Sequence, residues 1–223
     1  MENKKLVIAI DGPGAAGKST VAKILSKKLN YTYIDTGAMY RCLALYAYRN
    51  NIDVNDVDSL VKATKVIDIF MDETGKVYLD NEDVTFAIRT AEVTRLASPV
   101  SYPRPVRELF VEKQRNLADK AINGVVMDGR DIGTVIIHDA DVKVFLVATN
   151  ETRAKRRTLE LAAKGVDAKY EDVLADMIER DKNDKNRDIA PAVPADDAVI
   201  FDNSDMSVED SLKEIVRLVN ERK

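Results

Sequence analysis

Cysteine and histidine are almost missing from this 223-residue chain, each occurring once, at Cys42 and His138. A single cysteine excludes an intramolecular disulfide and a cysteine-rich zinc site. Cys42 lies in an apolar helical stretch, so a core position is expected, not a nucleophile's. His138 stands near Asp139 and Asp141 between two apolar runs, the setting of a solvated loop, and the sequence beside it lacks the signature of a catalytic histidine. Long apolar runs are missing too. The leading Met1-Glu2-Asn3-Lys4-Lys5 passes into a stretch too short for a signal peptide or membrane span, which points to the cytoplasm and to no membrane partner. Internal repeats, low-complexity tracts and long Pro/Ser-rich linkers do not occur. Nor is there an excess of positive charge. At net −4, nucleic acid is not an expected partner, and any anion site must be a local basic cluster on an acidic protein.

What is present suits one substantial core, or one core with a small appended unit: 45% of residues are hydrophobic and 32% charged. Short apolar runs alternate with helical patterns over most of the length, the rhythm of βα units around a parallel sheet. Strands are expected at Leu6 to Ile10, Tyr31 to Asp35, Gly124 to Met127, Val142 to Val147 and Ala198 to Phe201. The first helix should run from Lys18 to about Leu29 on Val21, Ile24, Leu25 and Leu29. The last should begin at Ser207, with Val208, Leu212, Ile215, Val216 and Val219 as its buried stripe. One segment departs from this rhythm. Ile67 to Asp72 and Lys76 to Asp80 alternate with period two around Glu73-Thr74-Gly75, which predicts a hairpin. A hairpin cannot bury itself, so it should pack with helices Val57 to Val66 and Thr90 to Ala97 as a small inserted lobe that moves when substrate binds. Pro99, Pro103 and Pro105 mark a boundary before a helix over Val106 to Ala121.

The chemistry concentrates first in Gly12-Pro13-Gly14-Ala15-Ala16-Gly17-Lys18-Ser19-Thr20, placed after a strand and at a helix start. Backbone N–H groups of such a loop point inward at phosphate oxygens, and the helix start adds partial positive charge. Lys18 would reach the β- and γ-phosphates of a nucleoside triphosphate, and Ser19 would hold Mg²⁺. A second run, Asp35-Thr36-Gly37-Ala38-Met39-Tyr40-Arg41, falls at the C-terminal edge of the next strand, where open α/β sheets bind ligands. The same run also reads as a capped helix start with Arg41 in solvent. A third, Asp128-Gly129-Arg130-Asp131-Ile132-Gly133, ends an apolar run in a carboxylate suited to the Mg²⁺ side of a phosphate loop. A structural ion pair of Arg130 with Asp128 or Asp131 is the alternative.

Two arginine groups complete the pattern. Arg153, Arg156 and Arg157 share one helix face, suited to clamping a triphosphate or, with Glu151 and Glu160, to a solvated face. Arg180, Asp184 and Arg187 lean toward the apolar stripe of Val173 and Met177, where charged groups need partners such as a hydroxyl- and phosphate-bearing ligand. These arginines exceed what one triphosphate requires. That favours phosphoryl transfer to a phosphorylated acceptor over a nucleotide switch, and such an acceptor needs no general base.

Taken in order, the phosphate loop, the Asp35 to Arg41 run, the Asp128 to Thr134 run and Glu179-Arg180-Asp181 through Asn186-Arg187 make the chain resemble the bacterial cytidylate kinases over essentially its whole length. The resemblance implies a P-loop nucleoside monophosphate kinase fold: a five-stranded parallel sheet flanked by helices, an inserted antiparallel β lobe and a helical lid. The monophosphate-binding region would span about residues 36–100, with the insert at 67–85, and the lid about 150–190. The implied reaction moves the γ-phosphoryl of ATP to CMP or dCMP, with Lys18, Arg130, Arg187, Arg153 and Arg157 as the catalytic cations. Arg41, Arg130 and Arg187 match the positions that hold the acceptor phosphate, Arg180 and Asp184 those that contact the ribose, and Ser98, Arg107 and Asp131 those that read cytosine. Asp131 can accept from the cytosine amino group while Arg107 donates to the ring edge, and uracil reverses part of that pattern. Thr36 stands among the substrate-binding positions where the family often has serine. Ser19 takes a loop position that is glycine in some relatives. A monomer is expected. Kinases for UMP, another nucleoside monophosphate or a shikimate-like acceptor would share the loop without the base-reading pair, and an ATP-dependent switch would lack the acceptor altogether.

Overall fold

The computed structural model describes residues 5–72, 74–163 and 165–222. Met1 to Lys4 of the leading segment and Glu73 of the hairpin turn lie outside them. In chain order the elements are β1 (Val7–Asp11), α1 (Lys18–Leu29), β2 (Thr32–Asp35), α2 (Thr36–Arg49), α3 (Val57–Val66), β3 (Ile69–Met71), β4 (Val77–Leu79) and β5 (Glu82–Asp83). There follow α4 (Ala91–Ala97), α5 (Arg104–Asp119), β6 (Val125–Asp128), a π-helical turn (Ile132–Ile136), β7 (Val142–Val147), α6 (Asn150–Ala163), α7 (Tyr170–Lys185), β8 (Val199–Asp202) and α8 (Val208–Asn220). Five strands form a sheet in the order β2-β6-β1-β7-β8, and β3-β4-β5 form a second, antiparallel one. All five expected sheet strands are present, with ends moved by at most a residue. The hairpin is present too, extended by β5, a two-residue strand too short for periodicity to reveal.

The chain divides into two compact units, one made of residues 1–31 and 123–223, the other of 32–122. In the first, β1 pairs in parallel with β6 (Val7 opposite Val125) and with β7 (Ile8 opposite Val142), and β7 pairs with β8 (Val144 opposite Val199). Helices cover both faces of a central parallel strand, which must then be apolar throughout. Accordingly Ile8, Ala9 and Ile10 are fully buried. The β8 strand pairs only on its β7 side, and Val199 and Ile200 are exposed. Helix α1 buries Val21, Ala22 and Leu25, and it ends where Asn30 turns left-handed (φ 56°) and donates to the carbonyls of Ser26 and Lys27. Two residues of the expected stripes face out, Ile24 on α1 and Val208 at the start of α8. The buried line of α8 keeps Ile215 and Val219 of the expected stripe and adds Ser211. Ser207 caps α8 by accepting from the Asp210 N–H at 3.0 Å.

The second unit has its own core, in which α2 supplies Met39, Cys42 and Leu43, α3 Leu60, the hairpin Val77 and Leu79, and α5 Val106 and Phe110. Cys42 is free and fully buried, and burial pushes its thiol up to about 12. Thr90 caps α4, and Pro105 sits in the first turn of α5. His138, in the first unit, is exposed in the loop before β7.

Candidate active site

In the first unit the phosphate loop joins β1 to α1. Gly12 adopts φ +141°, and a Cβ there would lie 2.0 Å from the Leu146 carbonyl oxygen of β7, so only glycine lets the chain pass that strand. Ala15 (φ 57°) and Gly17 (φ 94°) are also left-handed, which turns successive backbone groups inward. Lys18 is buried and its Nζ donates to the Pro13 carbonyl at 2.7 Å. Burial, then the Arg130 charge, hold its ammonium down at about 7, against the opposing pull of Asp128 and Asp11. A triphosphate would supply the negative charge this lysine lacks. Ser19 donates from Oγ to Asp128 Oδ2 at 2.7 Å, bringing the hydroxyl of the loop against the last residue of β6. A hydroxyl and a carboxylate are the hard oxygen donors Mg²⁺ takes, and it usually keeps water and substrate phosphate in its remaining positions. Among the described residues no cluster of three or more acidic, cysteine or histidine side chains forms a dedicated metal cage.

Arg130, Asp184 and Arg187 come together in this unit. Asp184 Oδ2 accepts from Arg130 Nε at 3.1 Å, while its Oδ1 lies 4.0 Å from Arg187 Nη1. Burial works to raise the Asp184 carboxyl, but Arg130, Arg180 and Arg187 together outweigh it and hold the group below the usual carboxylate range. Asp184 is buried on α7 as its inward lean predicts, whereas Arg187, expected on the same helix, lies two residues beyond its last residue and meets Asp184 from there. Gly14 is part of the same neighbourhood, since a Cβ on it would meet Arg130 Nη2 at 3.5 Å.

The arginines of α6 differ from expectation in one respect. All three guanidinium groups have protein acceptors, so none needs an anion to relieve repulsion. Arg153, 3% exposed, donates to the carbonyls of Gly14 (3.0 Å) and Ala148 (3.1 Å) and to Asn150 Oδ1 (2.5 Å), and it pairs with Asp181 at 2.6 Å. Arg156 donates to Asn203 Oδ1 at 3.1 Å, and half-exposed Arg157 pairs with Glu160 at 2.8 Å. Sequence reasoning passed over two residues that tie distant segments together here. Asn203 donates to the Ala16 carbonyl at 3.0 Å, and Asp11 accepts backbone N–H groups from the turn after β6. Both follow or end a parallel strand at its C-terminal edge, and that position was the available signal.

The second unit holds Thr36, Arg41, Ser98 and Arg107. Asp35 caps α2 through the Ala38 N–H at 2.8 Å and lies 3.7 Å from Arg89, and Thr36 is buried in the first turn. Arg41 Nη1 donates to Thr94 Oγ1 at 2.9 Å. On α5, buried Arg107 lies over the Tyr40 ring at 5.5 Å and donates to the Ser101 carbonyl at 3.1 Å. Tyr40 in turn packs on Phe110, with ring centroids 4.7 Å apart. Ser98 shares a 2.8 Å hydrogen bond with the Tyr102 hydroxyl. Each unit thus gathers its own share of the expected residues: loop, Arg130, Asp131, Arg180, Asp184 and Arg187 in one, Thr36, Arg41, Ser98 and Arg107 in the other.

A sequence profile described as cytidylate kinase matches residues 8–221. The chain belongs to the cytidylate kinase family. It is 47% identical over 218 residues to the cytidylate kinase of Caldicellulosiruptor bescii, covering 96% of each chain. To that of Bacillus pumilus it is 49% identical over 210 residues, covering 93% of this chain and 92% of the relative. Solved structures of a Bacteroides thetaiotaomicron shikimate kinase (TM-score 0.50, 14% identity, 96% and 98% of the two chains) and a Sinorhizobium meliloti gluconokinase (0.51, 11%, 98% and 94%) share its fold. At such identities they speak to architecture alone, and the P-loop kinase architecture of this cytidylate kinase family member agrees with them.

Proposed function

We propose that this protein transfers the γ-phosphoryl group of ATP to CMP or dCMP, giving ADP and CDP or dCDP. The observation that carries the reading is the second cationic centre of the first unit. Arg130 and Arg187, gathered on Asp184 beside a complete phosphate loop, are more than one triphosphate needs. In the reaction the loop amides and Lys18 hold the β- and γ-phosphates, and Arg130 and Arg187 offset charge on the transferring group and on the acceptor phosphate. Ser19 and Asp128 are the residues that would hold Mg²⁺, which supplies charge neutralisation across the donor phosphates. Arg153 acts on the loop through the Gly14 carbonyl, and Arg157 remains a cation available to the lid.

The second unit is assigned to the acceptor, Arg41 and Thr36 to its phosphate, and Ser98 and Arg107, with Asp131, to cytosine. Arg180 and Asp184 are assigned to its ribose. Residues 150–190 are assigned to the lid. An acceptor phosphate is already a competent nucleophile, so no side chain is asked to remove a proton. We place the protein in the cytoplasm as a monomer; among the described residues no helix is long and apolar enough to cross a membrane.

The test is ADP production from Mg·ATP with CMP, dCMP, UMP, AMP, GMP or shikimate supplied in turn, beside a control with no acceptor. CMP or dCMP is expected to give the highest rate, well above that control. A CMP rate equal to the control would overturn the reading, and a higher rate with another acceptor would move the protein to that substrate.

A further inference from the structure

The phosphate loop is gripped by its carbonyl oxygens. Lys18 donates to that of Pro13, Arg153 to that of Gly14 and Asn203 to that of Ala16. No peptide bond among the described residues is cis, so a carbonyl drawn to one side turns the N–H of the next residue to the other. Asn203 follows β8, is 4% exposed and is tied down at both ends. Its backbone N–H donates to the Val147 carbonyl at 3.0 Å, and its Nδ2 donates to the Ala16 carbonyl at 3.0 Å. Arg156 donates to Asn203 Oδ1 at 3.1 Å and to the Asn203 carbonyl at 2.8 Å. These neighbours fix which way the carboxamide faces. A guanidinium only donates and a carbonyl only accepts, so oxygen must meet Arg156 and nitrogen must meet Ala16. Gly17 (φ 94°) stands close on the other side of that peptide bond, where a Cβ would lie 3.6 Å from Asn203 Nδ2.

We propose that Asn203 is a positioning residue for the donor phosphates: by holding the Ala16 carbonyl on its own side of the loop, it turns the Gly17 N–H toward them. The proposal rests on the reading of this loop as the ATP site of a CMP kinase. Glycine adopts left- and right-handed backbone about equally well, so the peptide between Ala16 and Gly17 can flip unless something holds it. A flipped peptide would present a carbonyl oxygen to the phosphates where a donor is needed, replacing an attraction by a repulsion. Arg156 keeps the carboxamide from rotating, a task different from clamping the triphosphate itself.

The experiment titrates wild type and Asn203→Leu with Mg·ATP and Mg·tripolyphosphate by calorimetry, and with adenosine and CMP by NMR. Leucine keeps the branch at Cγ, adds no charge beside the loop and cannot hold a carbonyl. Kd for Mg·ATP and for Mg·tripolyphosphate should each rise about tenfold, the size of one lost hydrogen bond to a charged group. Kd for adenosine and CMP should stay within about twofold. A loss with ATP and adenosine but not with tripolyphosphate would assign Asn203 to the base and overturn the proposal. Equal weakening of all four probes would reduce it to a structural residue and overturn the proposal too. In ¹⁵N-labelled wild type, Mg·tripolyphosphate should move the Gly17 amide proton downfield, together with that of Ala15, whose peptide Arg153 holds. In Asn203→Leu the Gly17 shift should be lost and the Ala15 shift kept. A Gly17 shift that persists in the variant, or never appears in wild type, sinks the idea. Should Asn203→Leu not fold, Asn203→Ala removes the same donor without added bulk and is read in the same way. None of these measurements needs turnover, so a wild type that binds ATP but gives no CMP rate would end the functional reading while leaving Asn203 to be judged by the amide shifts.

Discussion

Asp11 carries an electrostatic cost that a pH titration can read. Burial pushes its carboxyl from the ordinary 3.8 up to about 6, and the backbone N–H groups of Gly133 and Ile132 only partly offset that. A folded state with the higher pKa binds the proton more tightly than the unfolded chain does. The stability contributed by this group is therefore greatest below pH 3.8, falls as pH rises to about 6, and is level above that. Measured against Asp11→Asn, which does not titrate, wild type should lose roughly 2.5 kcal/mol of unfolding free energy between pH 4 and 7, at about 1.4 kcal/mol per pKa unit. Urea denaturation across that range checks it, and a pH-independent difference would mean that Asp11 is solvated. The residues that sequence made legible are those whose role follows from neighbours in the chain: Lys18 and Ser19 in their loop, Cys42 in an apolar helix, Ser207 at the start of α8. Asp11 was not legible, because its partners lie at Ile132 and Gly133 and no local spacing connects them.

Among the elements, α6 shows most plainly how packing redirects a pattern. The spacing of Arg153, Arg156 and Arg157 places them on one face, and that much periodicity determines. It does not say which acceptors stand opposite. Once α7 and β8 are in place, Asp181 and Asn203 supply them, and Arg153 joins α6, α7 and the Gly14 carbonyl. Arg153→Ala should cost about 2 to 3 kcal/mol of stability, less than a fully buried pair because Asp181 keeps access to water. It should also weaken ATP binding severalfold by releasing the loop. Thermal melts and calorimetric titration with ATP would check both, and a variant with normal ATP affinity would return Arg153 to a purely structural role. Element type and order were readable because strands and helices here differ in hydrophobic period. Exposed Ile24 and Val208 were not, since an apolar side chain at the margin of a stripe is covered only if a neighbour reaches it.

For the molecule as a whole, the division at residues 31 and 123 separates a sheet unit bearing the phosphate loop from an inserted unit bearing Arg41 and Arg107. The insert was legible as a hairpin breaking the βα rhythm. Its helical partners α3 and α4 were legible too, and the resemblance implied a region of about 36–100 that takes in α2; α5 was not expected in it, yet it belongs to the same core, where Met39, Leu60, Val77 and Phe110 are buried together. The proposed monomer is checked by sedimentation, which should give one species of 24.8 kDa with and without nucleotides. A concentration-dependent dimer would contradict it.

The sequence by itself determined the phosphate loop, the alternation that makes a parallel sheet, and the four ordered runs that mark the family. These are properties of residues adjacent in the chain or repeated at a fixed period, and backbone geometry acts on them directly. Tertiary structure alone decided that Asp11 caps the turn after β6, that Asp184 gathers Arg130 and Arg187, and that Arg153 braces the loop. Each of those contacts joins distant segments whose approach is set by burial of the whole apolar core, and a buried charge takes whichever partner that packing brings to it.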